Sequence, residues 1–199
     1  ERLKRVESAT ASELAGEFHL TDTAIRQHLD SLERSGLVVR HSGEPDGRGR
    51  PPVHWQLTAL ADSQFPDRHA DLTVELMGSI RTALGDEALD QVVATRAERQ
   101  LSAYQRKLPA GDTRIRVSAL ANLRTAEGYL AEVRDDGDGR LTLTEHHCPI
   151  HDAANTCASL CSAELSLFQR ALGPDVTVTR THHLLAGDAR CSYRVEFRP

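Results

Sequence analysis

The chain has 199 residues, of which 39% are hydrophobic and 27% charged, with a formal charge of -5 and four cysteines. That length fits two modest domains, each able to bury a core, and no apolar run is long enough for a membrane span or a signal sequence. The expectation is a soluble cytoplasmic protein with no membrane partner; its negative balance argues against a general nucleic-acid binder, so any DNA contact must come from a local patch.

From the N-terminus, Thr10-Ala-Ser-Glu13 matches a capping box, and Leu14, Ala15 and Phe18 then form an apolar face, which predicts a short helix. His19 and Leu20 form a tight turn. Thr21 is a good N-cap for a second helix whose Ile25, Leu29 and Leu32 recur at i, i+4 and i+7 until Gly36 stops it. Leu37 to Arg40 reads as a strand, and the alternation of Val53, Trp55 and Leu57 as another. The connection between them, Gly43-Glu-Pro-Asp-Gly-Arg-Gly-Arg-Pro51, is rich in glycine, proline and arginine. Helix, turn, helix and arginine-tipped hairpin in that order predict a winged helix-turn-helix.

Thr21, Thr23, Arg26, Gln27 and His28 lie at the N-terminal end of the second helix or off its apolar face, where hydroxyls and long donors suit phosphates and base edges in a major groove. Arg48 and Arg50 in the wing are placed to reach an adjacent minor groove or the backbone. Between Arg34 and His54 four arginines face Glu44 and Asp46, a local excess of two positive charges in a chain that is negative overall. Any single arginine would fit a solvated loop; the joint pattern favours double-stranded operator DNA.

From about His69 to Leu108 the pattern is helical. Leu72, Leu76 and Ile80 mark one face, and a further helix through Leu89, Val92 and Val93 to Tyr104 follows the Gly85-Asp86 break. Such helices suit a homodimer, because palindromic sites demand two-fold proteins; packing within the chain is the alternative. Beyond Thr113, a helix through Val117, Leu120 and Leu123 leads to a hairpin whose strands, Tyr129 to Val133 and Leu141 to Thr144, flank Asp135-Asp-Gly-Asp-Gly139. This acidic turn lacks the loop length and distal glutamate of an EF-hand, so a plain turn is expected.

All four cysteines lie in the last third of the chain, spaced Cys148-x8-Cys157-x3-Cys161-x29-Cys191. In a reducing compartment such a cluster points to metal or redox chemistry rather than to structural disulfides. Spacing puts Cys157 and Cys161 one helical turn apart on a face continued by Leu165, Phe168 and Leu172. Cys191 alternates with Tyr193, Val195 and Phe197 along a last strand, and Cys148 precedes Pro149 in a loop, so loop, helix and strand can converge. Four thiolates suit zinc or an iron-sulfur cluster. The absence of paired short knuckles favours the larger cluster, with buried structural cysteines as the plain alternative.

The wing segment Gly47-Arg-Gly-Arg-Pro51, then Glu127-Gly-Tyr-Leu-Ala-Glu132, His147-Cys-Pro-Ile150, Leu160-Cys-Ser-Ala-Glu-Leu165 and Gly187-Asp-Ala-Arg-Cys-Ser-Tyr193 together resemble the iron-sulfur-sensing repressors of the Suf cluster-assembly operon. Each motif is short; their order and spacing span nearly the whole chain. The resemblance implies a dimer carrying a cluster, typically [4Fe-4S], whose loaded form represses assembly genes and whose loss relieves repression. It assigns Cys148, Cys161 and Cys191 as ligands. Cys157 is the choice for the fourth, with His146, His147, His151, His182, His183 or Glu164 as substitutes.

The reading is therefore a mainly α protein with an α+β part: a winged helix-turn-helix over residues 1–66, a helical dimerisation segment over 67–112 and a cysteine-containing sensor domain over 113–199. No enzyme activity and no small-molecule substrate are expected, since no nucleophile elbow, phosphate loop or catalytic constellation appears. A zinc-binding winged-helix repressor and a thiol-dependent enzyme are the competing readings.

Overall fold

A computed structural model describes residues 1–43 and 51–197, and these form two compact units, Glu1–Asp67 and Arg68–Pro199. The first unit runs α1 (Arg2–Val6), β1 (Ser8–Thr10), α2 (Ala11–Phe18), α3 (Asp22–Arg34), β2 (Val38–Ser42), β3 (Val53–Leu57) and a 3-10 turn (Ala59–Gln64). The Thr10 hydroxyl accepts the Glu13 N–H at 3.2 Å, and the Glu13 carboxylate accepts the Thr10 N–H at 2.7 Å. Two orphan amides are thus satisfied and α2 starts where the capping box predicts. His19 takes a left-handed conformation (φ 55°) to turn the chain, and the Thr21 hydroxyl caps α3 by accepting the Ala24 N–H at 3.2 Å. Leu14, Ile25, Leu29, Val38 and Trp55 form the core of this unit, while Phe18 and Leu32 stay largely exposed.

The sheet has the order β1-β3-β2, all antiparallel, with Ala9 opposite Trp55 and Val38 opposite Leu57. β1 is only three residues long, too short for its alternation to predict a strand from sequence, and its pairing with β3 defines it. The hairpin closes through the Gly43 N–H, which donates to the Pro52 carbonyl at 2.7 Å. Arg48 and Arg50 fall outside the described residues.

The second unit runs α4 (His69–Leu84), α5 (Asp86–Lys107), α6 (Thr113–Ala126), β4 (Ala131–Gly137), β5 (Arg140–Glu145), α7 (His151–Thr156), α8 (Ser159–Leu172), β6 (Val176–His182) and β7 (Cys191–Phe197). Its antiparallel sheet has the order β4-β5-β7-β6. The helices of 69–107 belong to this unit rather than to a separate connector. Leu101 and Tyr104 of α5 sit in one core with Val117, Leu120, Leu143, Phe168, Tyr193 and Val195, because α8 buries one face against α5 and the other region of its surface against β6. Phe168 meets Tyr193 edge-on, with ring centroids 4.9 Å apart. In α4 the buried residue is Met77, which joins Leu89, Val93, Cys157 and Leu160 in a second cluster; Leu72 and Leu76 remain about half exposed.

The acidic hairpin is a turn. Gly137 (φ 80°), Asp138 (φ 50°) and Gly139 (φ 73°) all take left-handed backbone in it. Arg114 pairs with Asp135, Arg134 with Asp136 and Arg140 with Asp138, so each carboxylate is matched by a nearby cation. Among the described residues no helix is long and apolar enough to cross a membrane.

Phe168 is fully buried at the meeting of α5, α6 and the sheet. Phe168→Ala should lower stability by about 3–5 kcal/mol, read as a reduced midpoint in urea unfolding followed by circular dichroism. A midpoint equal to the parent's would remove Phe168 from the core.

Candidate functional site

The candidate DNA-reading surface is the outer side of α3. Thr23, Arg26 and Gln27 are exposed there, opposite the buried Ile25 and Leu29, so one side of the helix anchors it and the other is free to enter a groove. Thr21 is spent as the N-cap. His28 stands on the other shoulder of α3, where it lines an apolar groove with Leu14, Phe18, Leu20 and Leu32, so it is displaced from the face of Gln27. Arg26 keeps only a long contact to Asp22 at 3.7 Å and remains exposed.

Arg40, one of the arginines in the local positive excess, is committed inside the unit. Its guanidinium lies over Trp55, 4.7 Å from the ring centroid, donates to Asp30 at 3.0 Å and forms a two-pronged pair with Glu33. The Arg40 hydrogen bond holds the Glu33 carboxyl below its usual range. Among the described residues the charge free for phosphates is therefore less than the sequence count suggested, because Arg40 is already paired.

The cysteines come from four different places. Cys148 lies in the loop after β5, Cys161 in the first turns of α8, and Cys191 opens β7; Cys157 follows the last residue of α7 in extended backbone (φ -143°, ψ 100°). This corrects the helical placement of Cys157. α8 begins only at Ser159, so Cys157 and Cys161 do not share a helix face, and the Cys157 Sγ lies 2.9 Å from the Ser159 hydroxyl within the Met77/Leu89/Val93 cluster. The sequence could not show the break, because the Cys157-Ala-Ser159 stretch continues an apparently helical pattern.

Cys148, Cys161 and Cys191 lie in one region of the second unit. Each is close enough for its charge to be felt by another: Cys161 and Cys191 act on Cys148, and Cys191 acts on Cys161. Burial pushes the Cys148 thiol up to about 11, against an opposing hydrogen bond from the Ile150 N–H. Burial and then Glu164 raise Cys161, while burial raises Cys191 against the Leu184 N–H, which donates to its Sγ at 3.5 Å. Two of the three sulfurs thus already receive a backbone N–H, the kind of donor that stabilises a ligating thiolate. Cys157 acts on Cys161.

Two arginines at this site escaped the sequence reading. Arg180 of β6 donates to the Cys161 carbonyl and favours the thiolates of Cys161 and Cys191. Its buried Nε has no hydrogen-bond partner, nor has the buried Nε2 of His183. Arg124 of α6 is completely buried, with its Nε 2.5 Å from Glu145 and its Nη2 2.7 Å from Glu164. Burial pulls the Arg124 guanidinium down, but Glu164 and Glu145 more than offset it and hold it charged. Burial lifts the Glu145 carboxyl to about 7, with Arg124 opposing. A lone arginine on a helical pattern carries no mark of such burial, and Glu145 reads from sequence as the end of a strand.

Of the substitute ligands, His146 pairs with Glu132 at 2.9 Å, His151 contacts Asp152 and Asn155, and His182 contacts Thr181. His147 is exposed. Glu164 lies near all three converging cysteines but is held by Arg124 and by the Tyr129 hydroxyl at 2.8 Å. Among the described residues no three His, Cys, Asp or Glu side chains are gathered tightly enough to hold a single metal ion. A zinc-thiolate bond of about 2.3 Å demands such a tight set. Cys148, Cys161 and Cys191 are the thiols that an iron-sulfur cluster would take as ligands, each binding a different iron.

Residues 3–39 match the bacterial regulatory proteins of the arsR family, a stretch that spans α1 through α3 and enters β2. The N-terminal unit is thus a helix-turn-helix domain of the kind used by winged-helix transcriptional regulators. No curated protein matches the chain. Among solved structures, a trafficking protein particle complex subunit 3 from Naegleria fowleri, covalently bound to palmitic acid, aligns with a TM-score of 0.44 and 15% identity. It covers 65% of this chain and 95% of that one, a likeness too remote to bear on function.

If the outer side of α3 reads bases, Gln27→Ala should cost on the order of 1–3 kcal/mol of specific affinity and relax preference at one position. Arg26→Ala should weaken binding to all sequences and flatten the salt dependence. Fluorescence anisotropy on a selected operator and on random duplex, across a salt series, separates the two. Parent-like binding by both variants would put the reading surface elsewhere.

Proposed function

We propose that this transcriptional regulator binds operator DNA as a homodimer, with an affinity set by an iron-sulfur cluster held on Cys148, Cys161 and Cys191. The observation that carries this reading is the convergence of three thiols from a loop, a helix and a strand, beside Arg180 and with backbone N–H groups already facing two of the sulfurs. The resemblance to Suf-operon repressors supports the same residues and implies a [4Fe-4S] group and repression of cluster-assembly genes. When bound, such a group supplies an oxygen- and redox-labile centre whose presence reports on cluster supply.

The residues of the chain define what the site does. Burial disfavours free thiolates at Cys148, Cys161 and Cys191, so the site holds its charge best when the sulfurs are ligated. Loop 146–150, the start of α8 and the start of β7 are then tied together. Cys157, the remaining thiol, lies two residues before α8; its cluster with Met77, Leu89 and Val93 links the site region to α4 and α5. The half-exposed Leu72 and Leu76 of α4 offer an apolar strip for the two-fold contact. Half-sites of a palindrome lie about 34–36 Å apart, so a small change in dimer rigidity removes much of the bivalent affinity.

Anaerobically purified protein should contain iron and sulfide and absorb in the visible range. Cys148→Ser, Cys161→Ser and Cys191→Ser should each abolish stable loading, whereas Cys157→Ser should leave a cluster that assembles but is more easily lost. Full iron content and an unchanged spectrum in Cys191→Ser protein would refute the three-thiol site.

The loaded form should bind operator at least about tenfold more tightly than the stripped form, a coupling of roughly 1.4 kcal/mol. Titrating one operator at fixed salt with loaded, oxygen-treated and reconstituted protein tests this, with dimerisation followed in parallel. Equal affinity in all three would make the cluster structural.

A further inference from the structure

Within the second unit, one buried guanidinium touches the support of every converging cysteine. Arg124 Nε donates to Glu145, which stands opposite Cys191 in the β5–β7 register. Its Nη2 donates to Glu164, three residues along α8 from Cys161. Its plane stacks on Tyr129, 3.3 Å from the ring centroid. The Tyr129 hydroxyl donates to Glu164 at 2.8 Å, and the Tyr129 carbonyl accepts the His147 N–H at 3.1 Å, immediately before Cys148. The third nitrogen, Nη1, faces the other way. It donates to the Tyr104 hydroxyl of α5 and to Glu127, both at 3.3 Å, and the Tyr104 hydroxyl donates to Glu127 at 2.6 Å. Gln100, one turn back on α5, donates to the same hydroxyl at 3.0 Å.

Stability alone does not call for this arrangement, since apolar residues of similar volume often replace a buried ion triad at no cost. Geometry does: a planar fork with five fixed donors holds several partners at set angles, which a flexible ammonium cannot do.

We propose that Arg124 is the positioning residue of the three-cysteine site and that the Tyr104–Glu127 pair is its mechanical link to α5. The proposal takes the cysteine site from the reading above and adds how its arms are held and where its state is passed. Loading the site fixes loop 146–150, α8 and β7 against Glu145, Glu164 and Tyr129; Arg124 carries that order across to Tyr104 and Gln100. Unloading frees the three arms, and the Arg124–Tyr104 contact loosens with them.

The first arm of the test needs no iron. Full-length protein, purified anaerobically and stripped with a chelator, is treated with a bifunctional thiol alkylator that fluoresces only when it bridges two neighbouring sulfurs, and bridged pairs are mapped by peptide mass spectrometry. The parent should give bridges among Cys148, Cys161 and Cys191. The neutralised variant carrying Arg124→Met, Glu145→Gln and Glu164→Gln should still melt cooperatively but bridge about tenfold more slowly. A folded neutralised variant that bridges at the parent rate overturns the positioning role. Should that variant not fold, Arg124→Lys decides: it retains a cation without the fork, so slowed bridging supports the proposal and parent-like bridging overturns it.

The second arm follows hydrogen exchange of the α5 amides around Gln100 to Tyr104. Stripping should speed their exchange in the parent and leave it unchanged in Tyr104→Phe, which should bridge its thiols like the parent. An equal response in both proteins overturns the link to α5. A parent that binds no iron and sulfide under any reconstitution refutes the cluster reading instead, and the bridging arm still judges Arg124.

Discussion

The second unit is organised around a positive charge completely removed from water. Arg124 must be matched where it lies, and the unit supplies Glu145 from the sheet, Glu164 from α8 and the faces of Tyr129 and Phe168. Removing one member of such a network costs about 3–5 kcal/mol, because the partner is left as an uncompensated buried charge. The arrangement is therefore a constraint on position: α6, α8 and the β5–β7 pair have to keep the spacing that satisfies the guanidinium. The three converging cysteines are carried by the same segments, each within a few residues of one of its partners or, for Cys191, opposite one in the sheet.

Electrostatics at the cysteines follow from that placement. Burial and the two glutamates oppose free thiolates, while Arg180 and the N–H groups of Ile150 and Leu184 favour them. The balance leaves the three thiols protonated unless a further positive charge is brought to them. In the first unit the electrostatic lesson runs the other way. Arg40 is consumed by Asp30, Glu33 and Trp55, so a net count of local charges overstates what phosphate can use. What a formal charge can do depends on whether it already has a partner.

The two units also differ in how their cores are built. The first unit draws on neighbours in sequence, α2 on α3 and β2 on β3, with side-chain caps opening α2 and α3, and on one long-range pairing of β1 with β3. The second unit joins α5 to α8 and β5 to β7 across long stretches of chain, so its core exists only once the whole unit has assembled. That explains why α4 and α5 look independent as a sequence and are integral as a structure.

Local rules made the first unit legible. The Thr10 capping box, the Thr21 cap, the Gly36 stop and the alternation through Trp55 each act within one turn or one strand, and each is found where residue spacing places it. The Asp138-Gly139 turn and the alternation from Cys191 to Phe197 are of the same kind. Spacing also allowed loop, helix and strand to bring Cys148, Cys161 and Cys191 into one region. Tertiary structure alone decided the rest: that Cys157 leaves the helix face of Cys161, that β1 is a strand, that Leu72 and Leu76 stay exposed while Met77 is buried, and that Arg124, Glu145 and Glu164 lie inside. The reason is physical. Periodicity records which way a side chain points along its own element, whereas burial of a charge or a break between two helices depends on partners far away in the chain, and no residue carries that information by itself.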